Sequence, residues 1–242
     1  MASFFDRIQY TEEAHSTESE SESAVDLFSH PSDVNKWISF HLEGGREYQV
    51  NVKSHDFDLC GLPQGILFTP QDIVTILSSC RQHIDFVNNL ETMQIITRNM
   101  DDHCCNMMID LFEELQFPRL KVFSLYGCPM KADTFIRLCD YIATSSHPHL
   151  EELTLGQMAI GDDVFVHTME QSNLFGITSL RVLIFLEVGI GDASKETLLR
   201  YLTNPENNHL HLLSVRGNCF SEETKEELKR AAEKKDGLYF II

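Results

Sequence analysis

The chain is poor in basic side chains: 19 Lys and Arg stand against 37 Asp and Glu, which leaves a net charge of −18 over 242 residues. A chain this acidic repels phosphate backbones and anionic lipid, so nucleic acid and membrane surfaces are set aside as partners. No apolar run approaches the ~18 residues that a membrane span requires. The opening, Met1 to Tyr10, lacks the continuous apolar stretch of a secretory signal. The seven cysteines are odd in number and irregularly spaced, which suits a reduced, cytoplasmic protein rather than a disulfide framework. What is present is ordinary globular composition: 43 % apolar, 10 % aromatic and 23 % charged, in a length that buries a core in one or two domains.

The first 36 residues stand apart. Thr11 to Ser23 is nearly all Glu, Ser and Thr, and residues 1–35 carry eight acids against Arg7 alone. Such a segment buries too little apolar surface to offset its ordering entropy, so 1–36 is expected to be a disordered acidic tail. Thr17, Ser19 and Ser23 each have an acid three residues on, the pattern that acidophilic kinases favour. Over 37–60 the spacing predicts strands: Ile38, Phe40 and Leu42 alternate, as do Tyr48, Val50 and Val52, around a turn at Glu43–Arg46. Thr69-Pro70 opens a helix as N-cap and first residue. Ile73, Ile76, Leu77 and Cys80 form its buried stripe, continued by Ile84 and Val87. Residues 37–89 are thus expected to form an N-terminal cap.

From residue 90 the sequence repeats. Leu90, Leu120, Leu150, Leu180 and Leu210 each open an L-x-x-L-x-L-x-x-x-x-L frame, with apolar residues at positions 1, 4, 6 and 11. Five copies supply twenty such positions, and every one is apolar; at 43 % apolar composition chance gives on the order of 10⁻⁷ to 10⁻⁸. Positions 4 and 6 share one face of a short strand. Polar turns follow at Asp101-Asp102, Gly161-Asp162, Gly191-Asp192 and Ser221-Glu222, then helical stripes such as Phe135, Leu138 and Ile142, or Leu198, Leu199 and Leu202. A unit of strand, turn, helix and return cannot bury its own apolar face, so the copies must stack into a parallel sheet with helices outside. A weaker copy is expected near Phe57–Gly61, and Leu238–Ile242 reads as a last truncated strand.

The frame resembles the leucine-rich repeat, and the thirty-residue period resembles its ribonuclease-inhibitor type. The fold class this implies over 90–242 is an α/β leucine-rich-repeat solenoid. Position 9, usually Asn or Cys in that family, is met by Cys128 and Asn218 and departs at Arg98, Met158 and Val188. The I-G-D segments at 160–162 and 190–192, and the closing run Gly217–Leu228, are similar to the C-terminal repeats of NOD-like receptors, including their apoptosis-inhibitory branch. The resemblance implies non-catalytic protein binding, as ligand sensing or scaffolding in innate immunity. Cytoskeletal and ubiquitin-ligase adaptors use similar arrays. No phosphate-binding G-x-x-x-x-G-K-[ST] occurs, so the nucleotide-switching module of those receptors is missing from this sequence.

Candidate chemistry is sparse. His103-Cys104-Cys105 is adjacent in sequence, whereas metal ligands must converge on one point, so it reads as a helix start with core thiols. His147-Pro148-His149 reads as a loop. A cysteine-dependent enzyme would use Cys104 or Cys219, but no pattern singles either out. No catalytic residue, metal or cofactor is expected. Frame positions 3, 5 and 7 face away from the helices and carry the binding expectation. Val182, Ile184 and Leu186 make one strand apolar on both faces, flanked by Val122, Tyr126, Leu212 and Arg216. These seven are the candidate partner-binding residues, as an exposed apolar patch for a protein or as a surface covered by residues 1–60.

Overall fold

The computed structural model describes residues 37–51, 53–59, 68–97, 100–144, 147–172 and 174–242, all within one unit, residues 35–242. The expected acidic tail, its three acidophilic sites, and Val52, Cys60, Gly61 and Arg98 lie outside the described residues.

Two short strands, β1 (Trp37–His41) and β2 (Glu47–Asn51), pair antiparallel around the expected Gly44-Gly45 turn, where both glycines take positive φ. Their inward residues, Phe40 and Tyr48, meet Phe57 of β3 (Asp56–Leu59) as a stack of rings 5.8 to 6.3 Å apart. Helix α1 (Pro70–Ser79) begins where Thr69 caps it. The Thr69 hydroxyl accepts from the Asp72 amide at 3.1 Å, and the Asp72 carboxylate accepts from the Thr69 amide at 2.8 Å. Burial disfavours the Asp72 charge, but the Thr69 amide and the Arg46 guanidinium, 2.5 Å away, outweigh it and hold its pKa below the usual value. The hairpin is thereby pinned to the helix.

The expected single stripe ends sooner than the sequence suggested. The helix stops at Ser79, a 3₁₀ turn follows, and His83 leaves helical geometry before the short α2 (Ile84–Val87). That break resets the phase, so Val87 stays buried while Ile84 turns out to solvent.

Five strand–helix units then follow one another: β4 (Thr92–Ile96) and α3 (Asp102–Leu115), β5 (Val122–Tyr126) and α4 (Ala132–Thr144), β6 (Glu152–Gly156) and α5 (Gly161–Gln171), β7 (Val182–Leu186) and α6 (Lys195–Thr203), β8 (Leu212–Ser214) and α7 (Glu222–Ala232). A last strand, β9 (Tyr239–Ile241), closes the series. Strands β3 to β9 form one seven-stranded parallel sheet in chain order. The register follows the period: Thr92 faces Val122, Val122 faces Glu152, Glu152 faces Val182, and Val182 faces Leu212. Phe57 faces Met93, and Leu213 faces Phe240, so the weak first copy and the truncated last one take their expected places.

All twenty frame residues are buried. Positions 4 and 6 point at the helices, as the edge-on pairs Phe112–Phe123 at 5.5 Å and Phe165–Phe185 at 5.2 Å show. Helix stripes behave as expected at Phe135, Leu138 and Ile142; in α6, Leu198 and Leu202 are buried while Leu199 is only half-buried. Neighbouring helices touch in chain order from α3 to α7.

Two polar devices tie unit to unit. Asn218 accepts at its Oδ1 from the amides of Val188, Gly189 and Ile190 at 3.0, 3.0 and 3.3 Å, and its Nδ2 donates to the Phe185 and Val215 carbonyls. The second device is an aspartate that reaches into the next unit. Asp102 accepts from the Lys131 amide and the Thr134 hydroxyl, Asp162 from the Gly191 amide and the Ser194 hydroxyl, and Asp192 from the Ser221 amide and hydroxyl. These turns were expected to cap their own helices. Asp101 and Ser221 do so, accepting from the Cys104 and Thr224 amides, while the three aspartates act across the seam instead.

Candidate binding face

Side chains at positions 3, 5 and 7 lie on the sheet face opposite the helices, because successive strand residues alternate. The face is not the free apolar patch that the sequence suggested. Ile184 is only 2 % exposed and Leu186 only 9 %, while Val122, Tyr126, Val182 and Leu212 are half-buried and Arg216 is exposed. The reason is position in the sheet. A mid-strand side chain is walled by its neighbours on both adjacent strands and by its own i±2 residues. Gln94, Ser124, Thr154 and Ser214, which share position 5 with Ile184, are buried too, although polar. The β3 strand does not supply that cover: it stands at the far end of the sheet, with β4, β5 and β6 between it and β7.

At the C-terminal ends of the strands the face turns into a built rim. The Tyr126 ring lies down over Gly156, where a Cβ would sit 2.3 Å from its Cδ2. Position 8 follows in left-handed backbone in four consecutive units, at Gly127, Gln157, Glu187 and Gly217. Gln157 donates from Nε2 to the Glu187 carboxylate at 2.9 Å, and the Glu187 stem packs where a side chain on Gly217 would have to be. Burial, and then the nearby Glu187 charge, push the Tyr126 hydroxyl above its ordinary pKa. Glu152, half-buried on the same face, is raised by burial and by neighbouring Glu151. Of the seven candidate residues, the structure brings Tyr126, Leu186 and Arg216 into consecutive places along this rim, with Gly156 between the first two. Sequence reasoning missed the Tyr126–Gly156 approach; a glycine at a strand position was its only signal.

The other clusters behave largely as core, although Cys104, expected as a core thiol, is only half-buried. Cys80, Cys105, Cys128 and Cys139 are buried free thiols. Burial pushes Cys80 up to about 12 and raises Cys139, Cys104 is raised chiefly by burial, and Cys128 by the adjoining Cys105 thiol and then by burial. These shifts suppress thiolate, the nucleophilic form. Cys219 is exposed. Among the described residues no group of three or more His, Cys, Asp or Glu side chains could hold a metal ion, and no helix is long and apolar enough to cross a membrane. His147 lies in the helix-to-strand return as expected, but it is buried edge-on to Tyr141 at 5.1 Å, and burial lowers its pKa.

Compared with known proteins, the chain matches no protein-family model and no curated protein.

Proposed function

We propose that the chain is a leucine-rich-repeat solenoid of the ribonuclease-inhibitor type that binds a protein on its helix-free sheet face, without catalysis. The observation that carries this reading is the coincidence of the thirty-residue sequence period with a thirty-residue strand register across four consecutive interfaces. Asn218 supports it, since it caps the backbone of the preceding unit from the position where the repeat family places Asn. Residues 37–89 serve as the N-terminal cap. Val122, Tyr126, Val182, Leu212 and Arg216 are the partner-contacting side chains, with Ile184 and Leu186 as the floor beneath them. The role is ligand sensing or scaffolding of the kind NOD-like receptor repeats perform, in the cytoplasm, where six free described thiols would remain reduced.

The test places a photo-crosslinking residue at Leu212 or Arg216, and in parallel at Arg200 on the helical side, in the full chain expressed in cells. The reading expects discrete adducts from positions 212 and 216 that are missing from position 200. Adducts from the helical side alone would overturn it.

A further inference from the structure

At the N-terminal end of the described chain, far from the rim, the structure holds a groove of about 510 Å³ between β1 and the turn into α2. Its floor is Ile38 and Phe86, both buried, and its lips are Trp37 and Ile84. Trp37 is 56 % exposed and Ile84 48 % exposed, so two of the largest apolar side chains left open to solvent line the same cleft. Nothing in the local backbone requires Ile84 to face outward except the break at His83 that ends the preceding helical turn. The polar lining is Gln82, His83 and Asp85. Asp85 is exposed, and among the described residues no side chain pairs with its carboxylate. An indole face, an aliphatic lip and an unpaired carboxylate form a surface that suits one chemistry.

We propose that this groove takes a basic, apolar peptide segment of a partner protein: an arginine or lysine stacked on the Trp37 ring and paired with Asp85, next to an aliphatic residue on Ile84. Cation–π contact and the carboxylate both favour a cation here. The net charge of −18 draws basic segments toward the chain and turns acidic ones away. The site is separate from the helix-free sheet face and does not depend on how that face is used.

Trp37 is the only tryptophan of the chain, so its emission reports on this groove alone. The full chain is titrated with a blocked hexapeptide alternating arginine and leucine, and with its glutamate–leucine counterpart. The proposal expects a saturable change in Trp37 emission with the first peptide and none with the second. Asp85→Lys should weaken binding about tenfold or more, while Glu206→Lys, the same charge change several units away, should stay within about twofold, with the far-UV dichroism of both unchanged. An emission unmoved by the basic peptide would overturn the proposal. So would equal losses in the two variants, which would mean attraction by net charge only. An emission shift that depends on protein concentration without peptide, accompanied by a doubled mass in sedimentation, would assign the groove to a second copy of the chain and overturn it as well.

Discussion

Asn218 makes more polar contacts across a unit boundary than any apolar residue at its frame position can replace. It satisfies three consecutive amides that point into the turn of the preceding unit, and its own amide is spent on carbonyls. Asn218→Ala should therefore cost about 2–4 kcal/mol in urea melts, because several partly buried donors lose their partner at once. A loss below about 0.5 kcal/mol, the ordinary scatter of surface substitutions, would show that water replaces the amide freely. Left-handed backbone at a side chain with a Cβ is a second residue-scale cost. Ala159 sits at φ 50°. Ala159→Gly should stabilise the fold by about 0.5–1 kcal/mol, the steric relief exceeding the entropy that glycine adds to the unfolded chain. The third case is His147, whose ring is buried in the helix-to-strand return. Burial lowers its folded pKa below the ordinary 6.5, so the unfolded chain takes up the proton first. Stability is then fully present above pH 6.5 and falls as the pH drops from there through the folded value. His147→Leu should flatten that slope in melts between pH 7.5 and 5, and an unchanged slope would remove His147 as its cause.

Elements were legible where the period is strict and illegible where it breaks. The strands β4 to β8 follow from five leucines thirty residues apart, because only one side-chain alternation puts positions 4 and 6 on a common buried face. The outward turn of Ile84 was not legible: the α1 pattern runs on smoothly in sequence, and only the backbone at His83 interrupts it. The burial of Ile184 was hidden for a different reason. Alternation tells which face a residue is on, but not how far its neighbours wall it in, and Thr154 and Ser214 beside it gave no hint. The aspartate seam left a visible trace, since Asp102, Asp162 and Asp192 share one frame position. Its partners lie in the following turn, out of reach of local pattern reading. Asp162→Ala should thus speed amide hydrogen exchange in 191–203, across the seam, more than in α5 itself. Faster exchange confined to α5 would make the aspartate a cap for its own helix.

At the scale of the whole molecule, an array in which each unit touches mainly its neighbours has a stability that sums unit and interface contributions. A register locked to the period then makes one unit removable. Deleting 151–180 joins Leu150 to Arg181 and brings Val182 opposite Val122, Leu183 opposite Phe123 and Phe185 opposite Leu125, so every buried frame position still meets another. Two local costs come with it. Leu186 arrives where Gly156 left room for the Tyr126 ring, and Asp162 no longer bridges to Gly191 and Ser194. The shortened chain should be less stable than the parent but should fold cooperatively, with a helical far-UV spectrum and a single urea transition. Deleting 151–179 instead removes one residue fewer and keeps more of the native sequence. It also shifts the following strand by one, which turns Leu183 and Phe185 away from the helices and Ile184 toward them. That variant should lose its cooperative transition. If both deletions unfold, the units do not stack as interchangeable neighbours; if both fold equally well, the register is not what holds the sheet together.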